Sequence, residues 1–331
     1  MNLSIGIVGL PNVGKSTLFK LITRNDVNIA NYPFCTIDPN IGVVPVPDER
    51  VDTLSALSKS AKKIPAVVEF YDIAGLVKDA SKGEGLGNKF LSHIRECSAI
   101  VEVLRCFPSD EIIHVENSVD PLRDLQIINT ELILKDLETV EKRIVSAGAE
   151  ARSGKKEAVK ELEVLERAKK LLVAGELLLS LRAEPVIQSL QLLTAKPQIY
   201  LLNGAPTDVP LALTEKICSL GATSVVADLS LATELPGLIQ EAYKILNLMS
   251  FFTTGTDETR AWTIVRGTKA PQAAGVIHTD FEKKFIRAEV INWQKLLVIG
   301  SWSAARQKGW LRLEGKEYVF QDGDVTEFRH G

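Results

Sequence analysis

The sequence holds 331 residues, 45% of them apolar, with a formal net charge of −3 at pH 7. That length predicts two or three domains, and the apolar fraction is normal for a protein that buries a sizeable core. The near-neutral charge excludes a polycationic nucleic-acid binder, so no sequence-specific DNA contact is expected, and no run of 18 apolar residues is present to span a membrane. Four scattered cysteines, Cys35, Cys97, Cys106 and Cys218, form no C-x-x-C pair. This argues against a zinc site or a disulfide scaffold and fits a reducing cytoplasm. Met1-Asn2-Leu3 runs straight into the first apolar stretch, which leaves no room for a signal peptide.

Leu3 to Val8 is a β-branched apolar run that reads as a buried parallel strand. Gly9-Leu10-Pro11-Asn12-Val13-Gly14-Lys15-Ser16 follows, a match to G-x-x-x-x-G-K-[ST], and Ser16 to Ile22 then reads as a helix. Strand, glycine loop and helix are the arrangement a triphosphate needs. The glycines let backbone N–H groups curl around phosphate oxygens, and the helix N-terminus adds a partial positive charge. The expected cradle is therefore Asn12, Val13, Gly14, Lys15, Ser16 and Thr17. Lys15 would bridge the β- and γ-phosphates and act on the transferring group, and Ser16 would ligate Mg²⁺. The alternative is an ordinary glycine turn.

Asn31 to Asn40 is a loop by its Pro and Asn content, and Thr36 within it is placed to complete a Mg²⁺ shell while the γ-phosphate is present. Ile41–Val46 and Ala66–Asp72 read as strands, the second ending in Asp72-Ile73-Ala74-Gly75. An acid at the carboxyl end of a strand can hold a Mg²⁺ water, and the Gly75 N–H can touch the γ-phosphate. Gly83-Glu84-Gly85-Leu86-Gly87-Asn88 suits a mobile switch or a solvated loop. Leu76 occupies the position where many GTPases carry a water-orienting Gln, so another group must position the water. Ser98–Arg105 is a further strand, after which His114 follows a short loop.

From Pro121 to about Leu193 apolar residues recur at three- and four-residue spacing, with a turn at Ser146–Lys156, which predicts an antiparallel helical hairpin. Basic and acidic residues balance there, as on a solvated face. Pro197–Asn203 and Ser224–Ala227 read as strands, Pro236–Leu248 as a helix, and the remainder as a small mixed α+β domain.

Several of these segments resemble the YchF (Obg-like ATPase) family of phosphate-loop nucleotidases. They are Gly6 to Thr17, Asn31-Tyr32-Pro33-Phe34-Cys35-Thr36-Ile37, Asp72 to Leu76 with Gly83–Asn88, Ile128-Asn129-Thr130-Glu131-Leu132, Arg260-Ala261-Trp262-Thr263 and Ala270 to Phe281. The resemblance implies an α/β fold: a G domain over residues 1–121 and 196–249, interrupted by a helical hairpin at 122–195, then a C-terminal TGS domain of β-grasp, α+β type at 250–331. It implies hydrolysis of ATP, with GTP a poorer or alternative substrate, and association with the ribosome. It carries to His114 a catalytic role. An Asn at the Asn12 position lets K⁺ assist in related phosphate-loop enzymes, and a merely loop-shaping Asn is the alternative.

The base-side motif departs from the family pattern. Guanine-specific enzymes use N-K-x-D and the family N-x-x-E, whereas this chain has Asn203-Gly204-Ala205-Pro206, with Asp208 two residues too far along. Asn203 can still address purine N7, and loss of the acid tilts the expectation towards ATP.

Overall fold

A computed structural model describes residues 4–24, 40–72, 93–108 and 118–331. The described residues form two compact units. One comprises 4–24, 40–42, 69–72, 93–108 and 118–238, and the other 43–68 and 239–331.

The first unit is built on a six-stranded sheet. Its strands are β1 (Ser4–Val8), β2 (Ile41–Pro45), β4 (Val67–Asp72), β5 (Ala99–Arg105), β6 (Gln198–Asn203) and β7 (Thr223–Ala227), in the order β2-β4-β1-β5-β6-β7. β1, β5 and β6 are buried along their whole length, as parallel strands covered on both faces must be. Parallel pairing of β1 with β4 sets Ile7 beside Asp72, and its pairing with β5 sets Val8 beside Glu102. Helix α1 (Lys15–Ile22) follows β1 and buries Leu18, Leu21 and Ile22.

Between β5 and β6 the chain forms α3 (Pro121–Arg152) and α4 (Lys156–Val173). Asp120 caps α3, its side chain accepting from Arg123 N at 3.1 Å, and Pro121 takes the first helical position, where no N–H is needed. Ile133, Val140 and Ala147 on α3 meet Leu165, Ala168 and Leu172 on α4. The second arm is shorter than the periodicity suggests. Beyond Val173, residues 174–195 form a short helix α5 (Pro185–Ser189) and 3-10 turns whose Leu178, Leu181, Ile187 and Leu192 complete the same core. Asp136 ties them to α3 by accepting from Leu193 N at 3.0 Å, Thr194 N at 2.7 Å and Thr194 Oγ1 at 2.7 Å. Helix α6 (Leu211–Ser219) packs Leu213 and Ile217 against Leu104, Tyr200 and Leu202 of the sheet.

The second unit holds another six-stranded sheet, in the order β11-β10-β12-β8-β9-β3. Its strands are β3 (Lys62–Ile64), β8 (Leu248–Thr254), β9 (Glu258–Val265), β10 (Phe285–Asn292), β11 (Arg312–Glu314) and β12 (Asp324–His330). β8 and β9 form an antiparallel pair, and β3 adds in parallel to β9 with Lys62 opposite Glu258. Helix α2 (Glu49–Ser58) joins the C-terminal strands, with Ser58 Oγ 2.8 Å from Thr254 Oγ1. The core is Met249, Phe251, Ile264, Phe285, Val290 and Phe320, closed by helix α8 (Ala270–Ile277) through Ala270, Ala273 and Ala274. Four further helices belong to this part of the chain: α7 (Pro236–Ile245), α9 (Thr279–Lys283), α10 (Trp293–Ile299) and α11 (Trp302–Gln307). The helix expected over Pro236–Leu248 stops at Ile245: Asn247 takes a left-handed φ of 57° and Leu248 begins β8. Among the described residues, no helix is long and apolar enough to cross a membrane.

Candidate functional site

β1 delivers the chain to Gly9 at the carboxyl end of the first sheet. Gly9 has φ 152°, and a Cβ there would lie 2.6 Å from the Val103 carbonyl oxygen and 2.9 Å from Val13 Cγ2. Gly14 has φ 111° and a Cβ there would lie 2.6 Å from Asn203 Nδ2. The loop therefore needs glycine at both positions for close backbone approach as well as for dihedral freedom. Asn12 takes φ 62°, which its short polar side chain tolerates and which already gives it a loop-shaping role.

Gly14 is the N-cap of α1, makes no side-chain cap, and no acidic residue stands in the first turn. Among the described residues no side chain caps these first N–H groups, which with the helix dipole suit an anion. Ser16 and Thr17 lie in this turn, and both are exposed there. Lys15 Nζ donates to the Leu10 carbonyl at 2.6 Å and folds over the loop. Burial lowers the Lys15 pKa to about 8 against the raising effect of the Asp72 carboxylate. Asp72 ends β4 beside Ile7, so the cation, the hydroxyls and one carboxylate come to the carboxyl end of these strands.

Asn203, at the end of β6, is buried and braces this loop. Its Nδ2 donates to the Val13 carbonyl at 2.9 Å and its Oδ1 accepts from Leu229 N at 3.1 Å. One side chain thereby fixes the phosphate loop to the segment after β7. The two acids near the base-side motif each accept bonds within their own loops. Asp208 Oδ2 accepts from Ala205 N at 3.0 Å, and Asp228 Oδ1 accepts from Ser230 N at 2.9 Å and from Ser230 Oγ at 2.6 Å. Those bonds hold the Asp228 carboxyl below its ordinary pKa.

Asn12, Val13, Gly14, Lys15, Ser16, Thr17, Asp72 and Asn203 are thus brought to one end of the sheet. Thr36, Gly75, Leu76, the 83–88 loop and His114 lie outside the described residues. Sequence reasoning missed Leu229, whose backbone N–H and side chain flank Asn203 and Gly14; its position two residues past β7, in Asp228-Leu229-Ser230, carries no motif.

Residues 4–142 match the family model described as 50S ribosome-binding GTPase, and residues 248–331 match the model named YchF-GTPase_C, described as a protein of unknown function. The chain is 45% identical over 363 residues to the Ribosome-binding ATPase YchF of Bacillus subtilis (strain 168), covering 99% of both. It is 43% identical over 373 residues to the Obg-like ATPase 1 of Schizosaccharomyces pombe, covering 100% of this chain and 95% of that protein. The chain belongs to the YchF (Obg-like ATPase) family. A solved structure of the Schizosaccharomyces pombe YchF GTPase superposes with a TM-score of 0.87 at 41% identity, covering 99% of this chain and 98% of that one. As a YchF-family chain it has the expected α/β G domain, with the phosphate loop inside the part matched to the GTPase model, and the family's own C-terminal domain.

Proposed function

We propose that this protein is a Mg²⁺-dependent nucleoside triphosphatase that hydrolyses ATP, with GTP as an alternative substrate, and works in the cytoplasm as a ribosome-associated nucleotide switch. The observation that carries the reading is the uncapped, glycine-built N-terminus of α1 with Lys15 folded over it and Asp72 opposite. A triphosphate supplies the charge that this arrangement leaves unanswered. Lys15 stabilises negative charge on the transferring phosphoryl group, and the N–H groups from Asn12 to Thr17 hold the phosphates. Ser16 and Thr36 would hold Mg²⁺, with Asp72 in its outer shell, and the ion would offset phosphate charge. One hydroxyl and one carboxylate among the described residues are a donor set of the kind Mg²⁺ takes when substrate phosphates supply other ligands. Gly75 senses the γ-phosphate, and His114 positions the attacking water in place of Leu76.

Base choice follows from the residue at position 206. Pro206 stands at the usual acidic position, so that position supplies no carboxylate to accept from the guanine N1–H. Asn203 meets the purine N7 that both bases share. Asn12 would be the residue to hold a K⁺, whose charge would assist phosphoryl transfer, and its loop-shaping role is the alternative. The ribosome enters through the names of the relatives, two of which are ribosome-binding ATPases of Bacillus subtilis and Escherichia coli O157:H7. A guanine-selective GTPase is the competing reading, favoured by the name YchF GTPase that the Schizosaccharomyces pombe protein bears in its solved structure. Titration of ATP and GTP against one site in Mg²⁺ separates them: tighter ATP supports the proposal, and a clear GTP preference overturns it. Rates in K⁺ and Na⁺ at matched ionic strength test the monovalent ion, and equal rates would remove it.

A further inference from the structure

β2 and β4 are neighbours in the first sheet, and what joins them is more than a turn. At one end of the pair Asp72 N donates to Asn40 O at 2.9 Å, and at the other Val46 N donates to Ala66 O at 2.8 Å. Between Val46 and Ala66 the chain forms α2 and β3, which belong to the second compact unit. The chain thus enters that unit within β2 and leaves it within β4. The family models divide it differently. Residues 46–66 fall in the part matched to the GTPase model, and the C-terminal model begins only at residue 248.

Backbone, side-chain and charge contacts build α2 and β3 into the second unit. β3 sets Lys62, Lys63 and Ile64 opposite Glu258, Thr259 and Arg260 of β9. Ala61 N donates to Thr256 O at 2.9 Å and Lys62 N to Asp257 O at 3.1 Å. Ser60 Oγ donates to Gly255 O at 2.6 Å and stands 2.8 Å from Oγ1 of the buried Thr259. On α2, Val51 and Leu54 are buried, and Thr254 Oγ1 donates to Leu54 O at 3.4 Å. At the head of α2, Arg50 donates to Asp48 from Nε at 2.8 Å and from Nη2 at 2.7 Å, and its Nη1 donates to Asp322 Oδ1 at 2.8 Å. The same guanidinium lies 4.9 Å from the Phe252 ring centroid. Asp322 Oδ2 also accepts from Arg266 Nη2 at 3.2 Å, so one acid joins the head of α2 to the residue that follows β9.

Ile64 pairs with Arg260 in the C-terminal sheet, and Asp72 is the carboxylate that acts on Lys15. Only Pro65, Ala66 and the rest of β4 separate the two. A paired strand has a fixed rise per residue, so it takes up little of a displacement at its end. Given Asp72 as the outer-shell partner of Mg²⁺ beside a triphosphate, on which this rests, we propose that residues 46–66 couple the C-terminal domain to the nucleotide. The state of the phosphate site biases how firmly β3 is held on β9, and that hold biases which nucleotide is preferred. A diphosphate lacks the γ-phosphate, so the two ligands differ at Asp72, and only such a difference can shift an equilibrium. Linkage makes the effect reciprocal. The factor by which triphosphate over diphosphate shifts the β3–β9 pairing is the factor by which loosening that pairing shifts the preference.

Hydrogen exchange of the full chain in Mg²⁺, saturated with ADP or with a non-hydrolysable ATP analogue, is the test. Exchange rates at residues 60–64 and 258–260 are expected to differ between the two complexes by about fivefold or more, the low end of typical couplings. Asp322→Ala removes the partner that Arg50 and Arg266 share, at a residue that takes no part in the nucleotide site. The variant is expected to speed exchange at 60–64 and to change the ratio of the two nucleotide affinities by about fivefold or more. A passive mount would move both affinities together or not at all. Where Asp322→Ala fails to fold or leaves residues 60–64 protected, Ser60→Ala takes its place, because it removes the contacts to Gly255 and Thr259. Equal exchange in the two complexes overturns the proposal, and so does an unchanged affinity ratio in a variant whose 60–64 amides exchange faster. Binding of neither nucleotide to the wild type, seen by titration beforehand, would refute the phosphate-site reading itself and the proposal with it.

Discussion

Replacing Asn203 with alanine is the most informative single perturbation of the phosphate site. The side chain makes two bonds, to Val13 O at 2.9 Å and from Leu229 N at 3.1 Å, and both partner residues are buried. Truncation leaves a carbonyl and an N–H without partners, each costing about 1–3 kcal/mol. The expected loss is therefore about 2–6 kcal/mol, a large share of the roughly 5–15 kcal/mol that holds a domain together. Asn203→Asp separates the two bonds. It keeps an acceptor for Leu229 N but sets an oxygen where Nδ2 stood 2.9 Å from the Val13 carbonyl, turning attraction into repulsion. Both variants release Val13 and Gly14, so nucleotide affinity should fall at least about tenfold, which corresponds to only about 1.4 kcal/mol. Urea unfolding and nucleotide titration measure the two effects. A loss under about 0.5 kcal/mol together with unchanged affinity would refute the bracing role.

Lys15→Ala and Ser16→Ala should each lower hydrolysis by about 10²-fold or more with the fold retained, as circular dichroism and turnover together report. Because the Lys15 pKa stands near 8 and a bound triphosphate restores its charge, nucleotide binding above pH 8 should take up a proton and weaken as pH rises; calorimetry in buffers of different ionisation enthalpy reads that uptake, and none at about pH 8.5 would count against Lys15 as the phosphate cation. Gly14→Ala should abolish nucleotide binding, because its Cβ would press on Asn203 Nδ2 at 2.6 Å at a φ of 111°; normal affinity in a titration would contradict the close approach. His114→Ala should reduce kcat by about 10–10³-fold with little change in affinity, and an unchanged kcat would leave water positioning to other groups.

The phosphate loop was legible in the sequence because its chemistry is local: a buried strand, two glycines at positive φ and the N-terminus of α1 are contiguous. The hairpin was legible for the same reason, since Ile133, Val140 and Ala147 repeat along one helix. What the sequence hid is long-range. Asn203 reaches Val13 across most of the chain, and nothing in Asn203-Gly204-Ala205-Pro206 announces that its amide is a brace for the loop. β3 is three residues with two exposed lysines, too short and polar to show as a strand until it pairs with β9. Glu102 did leave a trace: an acid inside the apolar run Ala99-Ile100-Val101-Glu102-Val103-Leu104 that otherwise reads as buried on both faces.

The hydrolytic switch is tested most directly by single-turnover hydrolysis of ATP in the presence and absence of Mg²⁺, with Lys15→Ala as the control. Stoichiometric phosphate release by the wild type in Mg²⁺ is expected, with little release without the metal and little from the variant. Binding of ATP without phosphate release in Mg²⁺, or equal turnover by Lys15→Ala, would contradict it.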